Sequence, residues 1–564
     1  MRAHHLTVGM AAALLTMAAC TSASSTTQGS SVTSASSGPQ GSSAASAPSA
    51  ASASSGPAAV SAAPGPGAAN LLSGGNITVA VASDPISLDP SVTLDSGSLQ
   101  FHYMAYDTLL SLSPQGKLVP NLATSWTNTG NSYVFTIKSG VTCSDGTAMN
   151  AKVIGENITY TLDPKNKSPM LGYTVPADTK VTADVAANTV TLTAPTHTAF
   201  FMNHIANLFM ICQKGLDNRG LLKTQTFGSG PYVLGDRVPK SHYTYTVRTG
   251  YVWGPDGAKT DVPGQPAKVN FQIVASETTV ANLLLNKQVN IGFVKGPDRA
   301  RLTAAKLFSQ VATVPQGEFF FNQKSGSIIS DLQVRKALMM AVDMDQLRNV
   351  FSQGNGAAPT SFLGFGPTPC PNAGAVAKNS PQHDVAAAKA LLDTDGWIVG
   401  SDGLRSKAGK PLSLTLIYDT ATQPQAAASE FAVDQWKAIG VQVKPVATDV
   451  INDGLFGSHP WDMAWQGVGP ADPATLVQFF SGKAPPAGNN FGSTNNPAYV
   501  KLTDAAQKMD GAAGCDLWNQ AEASLLSNVD TLPFSFEKDP TWGNGVEFES
   551  TVYSYFPTSL RQTK

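Results

Sequence analysis

The stretch "SYVFTIKSGVTCSDGTAMNA" (132–151) decides how this chain is read. Tyr133, Phe135 and Ile137 point to one side of an extended strand, and Asp145-Gly146 supplies a turn beyond it. The same alternation recurs on either side. "NITVAVA" sets Ile77, Val79 and Val81 on one face, and "KVNFQIV" does so with Val269, Phe271 and Ile273. "TVTLTA", "LSLTLIY" and "GVQVKPV" read as further strands. Helical periodicity lies between them. In "ISDLQVRKALMMAVDMDQL", Val334, Leu338 and Val342 recur every four residues, with Ser330 and Gln333 at capping-box spacing in front. In "VAAAKALLDTDGW", Val385, Ala388 and Leu392 share one side and Gly396 follows the end. In "AASEFAVDQWKAIGVQV", Ala432, Trp436 and Ile439 share a face, and Gly440 stops the helix before the next strand. Residues 277–294 read as helix into strand, with Val280, Leu283 and Leu284 inward. Strands interleaved with helices predict α/β lobes.

The front of the chain has a different chemistry. Arg2 opens a short basic segment, and the residues from Leu6 to Ala19 are apolar and end in small side chains. That is the layout of an export signal, too short to span a bilayer well. Met17-Ala18-Ala19-Cys20 resembles a bacterial lipobox, in which the cysteine is acylated and becomes the mature N-terminus, although Met17 stands where leucine is usual. The alternative is a cut before an ordinary Cys20. From Thr21 to Gly74 the chain is nearly all Ser, Ala, Gly, Pro and Thr, and no Asp, Glu, Lys or Arg occurs between Arg2 and Asp84. Such a segment has too few large apolar groups to offset the entropy of ordering, so it reads as a flexible tether. As a coil of about 54 residues it reaches roughly 40 Å. The expected plan is a signal over 1–19, then a lipidated Cys20 and its tether over 20–74.

About 490 residues follow, enough for a large core and too many for one compact unit, so two or three lobes are expected. A formal net charge of −2, from 37 basic and 39 acidic residues, argues against a nucleic-acid partner, which needs a basic patch. No later apolar run is long enough to span a membrane. Besides Cys20 there are Cys143, Cys212, Cys370 and Cys515, far apart and without a C-x-x-C, which speaks against zinc or thioredoxin-like chemistry. Disulfides persist in exported proteins. Three pairings are open, and the assumption that each pair stays within one lobe gives Cys143–Cys212 and Cys370–Cys515.

Taken in order, several stretches resemble the solute-binding proteins of ABC importers, in the large class with dipeptide- and oligopeptide-binding members. They are "DPISLDP" (84–90), "YDTLLSL" (106–112), "LVPNLATSW" (118–126), the 133–151 stretch, "PKNKSP", "GSGPYVL" and "GYVWG". "DLQVRKALMMAVDMDQL", "DVAAAKALLDTDGW", "IGVQV" and "DPATLVQFF" continue the likeness, which covers 75–540. The chain departs from the family where Cys143-Ser144 replace an aromatic and His, and where Ala151-Lys152-Val153 replace an acidic pair. The resemblance implies an α/β, two-lobed periplasmic-binding-protein-like fold (type II, the large class with an extra inserted subdomain) and a ligand cleft between the lobes. Lobe I would combine 75–110, 225–315 and 532–564, with the subdomain inserted over 111–224, and lobe II would run over 316–531. The hinge would lie near "GEFFFNQ" and "NVDTLPFSF". It further implies a monomeric, non-enzymatic lipoprotein without cofactor on the outer face of the cytoplasmic membrane. Such a protein captures a peptide or similar small solute by hinge closure and hands it to an ABC permease.

The ligand contacts expected from this likeness centre on "WDMAWQGVGPADPATLVQFF" (461–480). In peptide-binding relatives this loop carries an Asp that pairs with the peptide ammonium, and Asp472 is the candidate. The alternative is an Asp that caps the helix after Pro473. An ungapped alignment puts the anchor position at Gly469 or Ala471 instead, with no amine anchor. Trp465 and Gly467 join it as cleft residues, Trp465 with core packing as the alternative. From the hinge, Glu318, Phe320 and Asn322 alternate on one face of a strand. Lobe I contributes Tyr106 and Asp84, the latter with a turn as its alternative.

Other functions find less support. H-E-x-x-H, G-x-S-x-G and the P-loop are absent, and "GSGPY" (228–232) lacks the P-loop's Lys-Ser/Thr ending and is expected to be a tight turn. His197 and His204, seven apart, are placed to share a helical face, and some relatives carry metal or haem. An envelope regulator or lipid binder of the same fold is the main rival.

Overall fold

The computed structural model describes residues 70–564, apart from 365–367, 420–424, 458–459, 470–471 and 551–553. The expected signal, the acylated Cys20 and the tether up to residue 69 lie outside the described residues. The chain is tied to the body from its first described residues: Leu71 bridges to Thr563, and the Leu72 N–H donates to the Gln562 carbonyl at 2.9 Å.

One large sheet organises the molecule. Its strand order is Gln442–Thr448, Ser413–Asp419, Met463–Trp465, Phe308–Phe321, Thr531–Gly543, Ile291–Phe293, Asn76–Val81, Lys268–Ile273, His242–Val247 and Tyr232–Val238. Asn76–Val81 runs parallel to Lys268–Ile273, from Asn76↔Lys268 to Val81↔Ile273. Parallel strands of this kind are covered on both faces, which is why Ala80 is as buried as its neighbours.

The two longest strands, Phe308–Phe321 and Thr531–Gly543, lie in mid-sheet and pair antiparallel from Phe308↔Gly543 to Phe320↔Thr531. They carry one half of the molecule on each flank. A register shift on either side of Gly317 interrupts the pairing, and a Cβ there would stand 2.6 Å from the Phe534 ring. Bulges of this type bend and twist a strand. Beyond it, side chains alternate between two cores. Phe319 and Phe321 enter the core that holds Trp436, Trp465 and Phe534, and Phe320 enters the core that holds Phe480 and Phe491.

The opening stretch 132–151 spans a strand, a turn and a helix cap. Ser132–Ile137 belongs to a second sheet with Ala123–Thr129, Thr189–Thr193 and Lys180–Asp184. Gly146 takes φ +85, and the Asn150 side chain accepts from Val153 N–H to start the helix Ala151–Leu162. Tyr133, Phe135 and Ile137 share one continuous core with Ile77, Val79 and Phe271 of the large sheet. The structure joins Cys143 to Cys212 and Cys370 to Cys515, with S–S distances of 2.05 and 2.10 Å.

Three local expectations are corrected. Asp331, not Ser330, caps the helix Leu332–Ala341: its carboxylate accepts from the Gln333 N–H at 2.8 Å, while Ser330 ends the short helix Ile328–Ser330 and its hydroxyl donates to the Ser327 carbonyl. His197 and His204 share no helical face, since the helix there is only Phe201–Ile205. The glycines of "GSGPY" answer a close approach, not a positive φ: a Cβ on Gly228 would stand 2.1 Å from the Ala105 carbonyl oxygen. No helix among the described residues is long and apolar enough to cross a membrane.

Candidate functional site

The loop after Met463–Trp465 is pinned to the first crossing strand. Gln466 N–H donates to the Glu318 carbonyl at 3.2 Å, and Val468 N–H donates to Glu318 Oε2 at 2.9 Å. Gly467 sits so close to the strand that a Cβ would meet the Pro315 carbonyl oxygen at 2.5 Å. Glu318 is fully buried, and burial pushes its pKa well above the usual carboxylate range against the single Val468 bond. Burial thus disfavours its ionised form, and its Oε1 has no hydrogen-bond partner among the described residues.

Below this loop, a cavity of about 380 Å³ opens where the halves meet. One half gives Glu277, Lys295 and Arg299, the crossing strands give Gln316, Ser535 and Glu537, and the other half gives Phe351, Gln353 and Asn355. The lining carries both signs of charge. Glu277 Oε2 accepts from the Lys295 and Gly296 N–H groups at 2.9 Å each, which fixes the 295–299 loop. Lys295 Nζ lies 3.2 Å from Glu537 Oε2, with both side chains still partly open to solvent. Arg299 Nε donates to the Lys295 carbonyl at 2.7 Å. Asp539, two residues along from Glu537, is pushed up to about 6 by burial and by Glu537, with Lys295 and Arg299 opposing. A cavity of this volume, with a few convergent charges, suits a small solute rather than a folded partner. Among the described residues, no group of three or more His, Cys, Asp or Glu side chains is placed to hold a metal ion.

None of the ligand contacts nominated from sequence lines this cavity; they serve the framework. Trp465 is buried and packs edge-on against Phe319 and Phe351. Phe320 stacks on Phe480 inside the core, because the crossing strand is covered on both faces. Asn322 Nδ2 donates to the Trp461 carbonyl at 3.1 Å. Tyr106 is buried and donates to the Leu88 carbonyl at 2.9 Å. Asp84 accepts from Lys240 N–H at 2.9 Å, a bond to a distant segment of the chain. Asp472 has both oxygens engaged: Oδ1 accepts from Ala474 and Thr475 N–H, and Oδ2 lies 2.6 Å from His204 Nε2. Its geometry is that of a helix cap. Sequence reasoning missed Glu277, Lys295, Arg299 and Glu537. The one local signal was "KGPDR" (295–299), two cations in a Gly-Pro loop just past a strand.

The profile of the bacterial extracellular solute-binding proteins, family 5 (middle region), matches residues 117–488. A periplasmic murein peptide-binding protein of Escherichia coli, MppA, is 27% identical over 488 residues, covering 80% of this chain and 86% of that protein. Protein XP55 of Streptomyces lividans is 27% identical over 459 residues, covering 77% and 78%. Among solved structures, the ABC transporter substrate-binding protein CtaP of Listeria monocytogenes superposes with a TM-score of 0.71 at 21% identity, covering 87% of this chain and all of that one. The fold is the two-lobed α/β periplasmic-binding architecture, and the chain belongs to the bacterial extracellular solute-binding proteins of family 5.

Proposed function

We propose that the chain captures a short peptide in the cavity between its halves and delivers it to an ABC permease. The observation that carries this is the pairing of opposite charges on walls from different segments: Glu277 and Glu537 beside Lys295 and Arg299. A peptide is a zwitterion, so its ammonium finds a carboxylate and its carboxylate finds a cation on the charged wall, while Phe351, Gln353 and Asn355 complete the enclosure only when the other half is engaged. Binding then favours the engaged arrangement by the difference in affinity between the two states. The peptide-binding relative in Escherichia coli supports the choice of solute, and the ABC transporter substrate-binding protein in Listeria supports the choice of partner.

The ammonium would be held in the cavity rather than by Asp472, whose oxygens already serve the helix and His204. Cys20 would be acylated and hold the body on the outer face of the cytoplasmic membrane, at high effective concentration near its permease. A lobe boundary close to 532 would fall at the start of Thr531–Gly543, and one close to 316 would fall within Phe308–Phe321.

Native mass spectrometry of the purified protein tests the proposal. A retained peptide, released on denaturation, is the expected result. A retained lipid or metal ion would overturn the peptide assignment.

A further inference from the structure

Away from the crossing strands, the halves meet a second time through side chains. His204 Nε2 stands 2.6 Å from Asp472 Oδ2, across from the helix Pro473–Phe480. His197 presents Nδ1 to the Gln507 carbonyl and Nε2 to Asp510 Oδ1, at 2.8 Å each. Asn128 Nδ2 donates to the other Asp510 oxygen at 2.6 Å. Between the two pairs, Phe200 packs on Trp518 beside the Cys370–Cys515 disulfide, and Gly511 N–H donates to the Ala199 carbonyl at 2.6 Å.

The state of the imidazoles follows from their partners. A neutral imidazole has one N–H and one lone pair. His197 faces an oxygen acceptor at each nitrogen, so only the imidazolium satisfies both. His204 meets a carboxylate whose side chain is 1% exposed, where a positive partner offsets the cost of burying the charge. The other ionisable groups packed here are Tyr133, beside Asp510, and Tyr173, beside Asp472. Burial raises both phenols above their ordinary value, so neither changes charge below pH 8. Among the described residues, neither carboxylate has an ion pair with a lysine or arginine.

We propose that this contact is a proton-linked latch, in which protonation of His197 and His204 favours the arrangement with the halves engaged. The inference rests on the hinge-closure reading above. Because linkage is reciprocal, protons that favour engagement also tighten solute binding, and bound solute tightens proton binding by the same factor. The sign is definite: acidification closes, and a rise in pH releases.

Single-molecule energy transfer on the full chain tests it, with dyes at Ala186 and Ser401, exposed positions on the two halves. No solute is added, and the pH runs from 8 to 5.5, within the interval in which imidazoles change charge. The engaged-to-open ratio of the wild type is expected to rise about three- to tenfold, the worth of two partly exposed pairs. In His197→Gln/His204→Gln the ratio should be low and flat. Asp510→Asn, which removes the charge but keeps an acceptor for His197 and the surface position, should show roughly half the response. Two populations with the same pH profile in wild type and variants would overturn the latch and leave hinge closure standing. A single population in every protein at every pH would overturn hinge closure, and the latch with it.

Discussion

Where the strands Phe308–Phe321 and Thr531–Gly543 join the halves, backbone pairing does the holding and the flanking side chains are aromatic. At the contact of 197–204 with 472 and 507–518, the holding groups are two imidazoles and two carboxylates. The first joint buries aromatic rings in the core, and those rings carry no titrating proton. The second leaves part of each histidine in water and can be undone by removing a proton. A protein that must open without unfolding needs this difference, since rotation at the first joint costs little only if the second can let go.

The largest expected effect is at the first joint. Phe319 packs against Trp436, Trp465 and Phe534, so Phe319→Ala should lose about 3–5 kcal/mol of stability in urea unfolding. A loss below about 1 kcal/mol would show that the crossing strands are not a rigid axle.

A third histidine sharpens the comparison. His102 is buried, its Nε2 donates to the Ser87 carbonyl at 2.8 Å, and its Nδ1 has no partner among the described residues. Burial pushes its pKa down to about 4. The unfolded chain therefore takes up a proton near 6.5 that the folded chain refuses until about 4. Stability should fall as pH drops through that window, by about 1.4 kcal/mol per unit and about 3 in all, and level off below it. Thermal unfolding of His102→Gln should lack this slope. Acid thus engages the latch histidines while it strains the half that carries His102.

A smaller effect is expected at Glu318. Glu318→Gln keeps a neutral side chain that accepts from Val468 N–H, so its stability at pH 7 should stay within about 1 kcal/mol of wild type. Glu318→Ala strands that N–H and should lose about 1–3 kcal/mol. Equal losses in the two variants would mean that Glu318 is charged and paired in a way its burial does not indicate.

Much of the architecture was legible in sequence because it is written locally. Tyr133, Phe135 and Ile137 are buried as the alternation predicts, and Gly396 and Gly440 stand at positive φ after their helices. The site was less so. Glu318, Phe320 and Asn322 alternate, but a strand covered on both faces sends each side chain into protein, so alternation does not separate cleft from core. Asp472 stood before a proline and read equally as anchor or cap. The cavity charges come from 277–299 and 535–537, and only the crossover order of the sheet brings them together. No local pattern carries that information.

The central claim is that charges from separate segments hold a zwitterionic solute between the halves. Calorimetric titration of the recovered peptide into wild type and Lys295→Gln/Glu537→Gln tests it most directly, since the pair is partly exposed and its loss should leave the unfolding midpoint in place. Binding weaker by about tenfold or more is the expected result, the worth of one lost charged hydrogen bond. An unchanged affinity would contradict the claim.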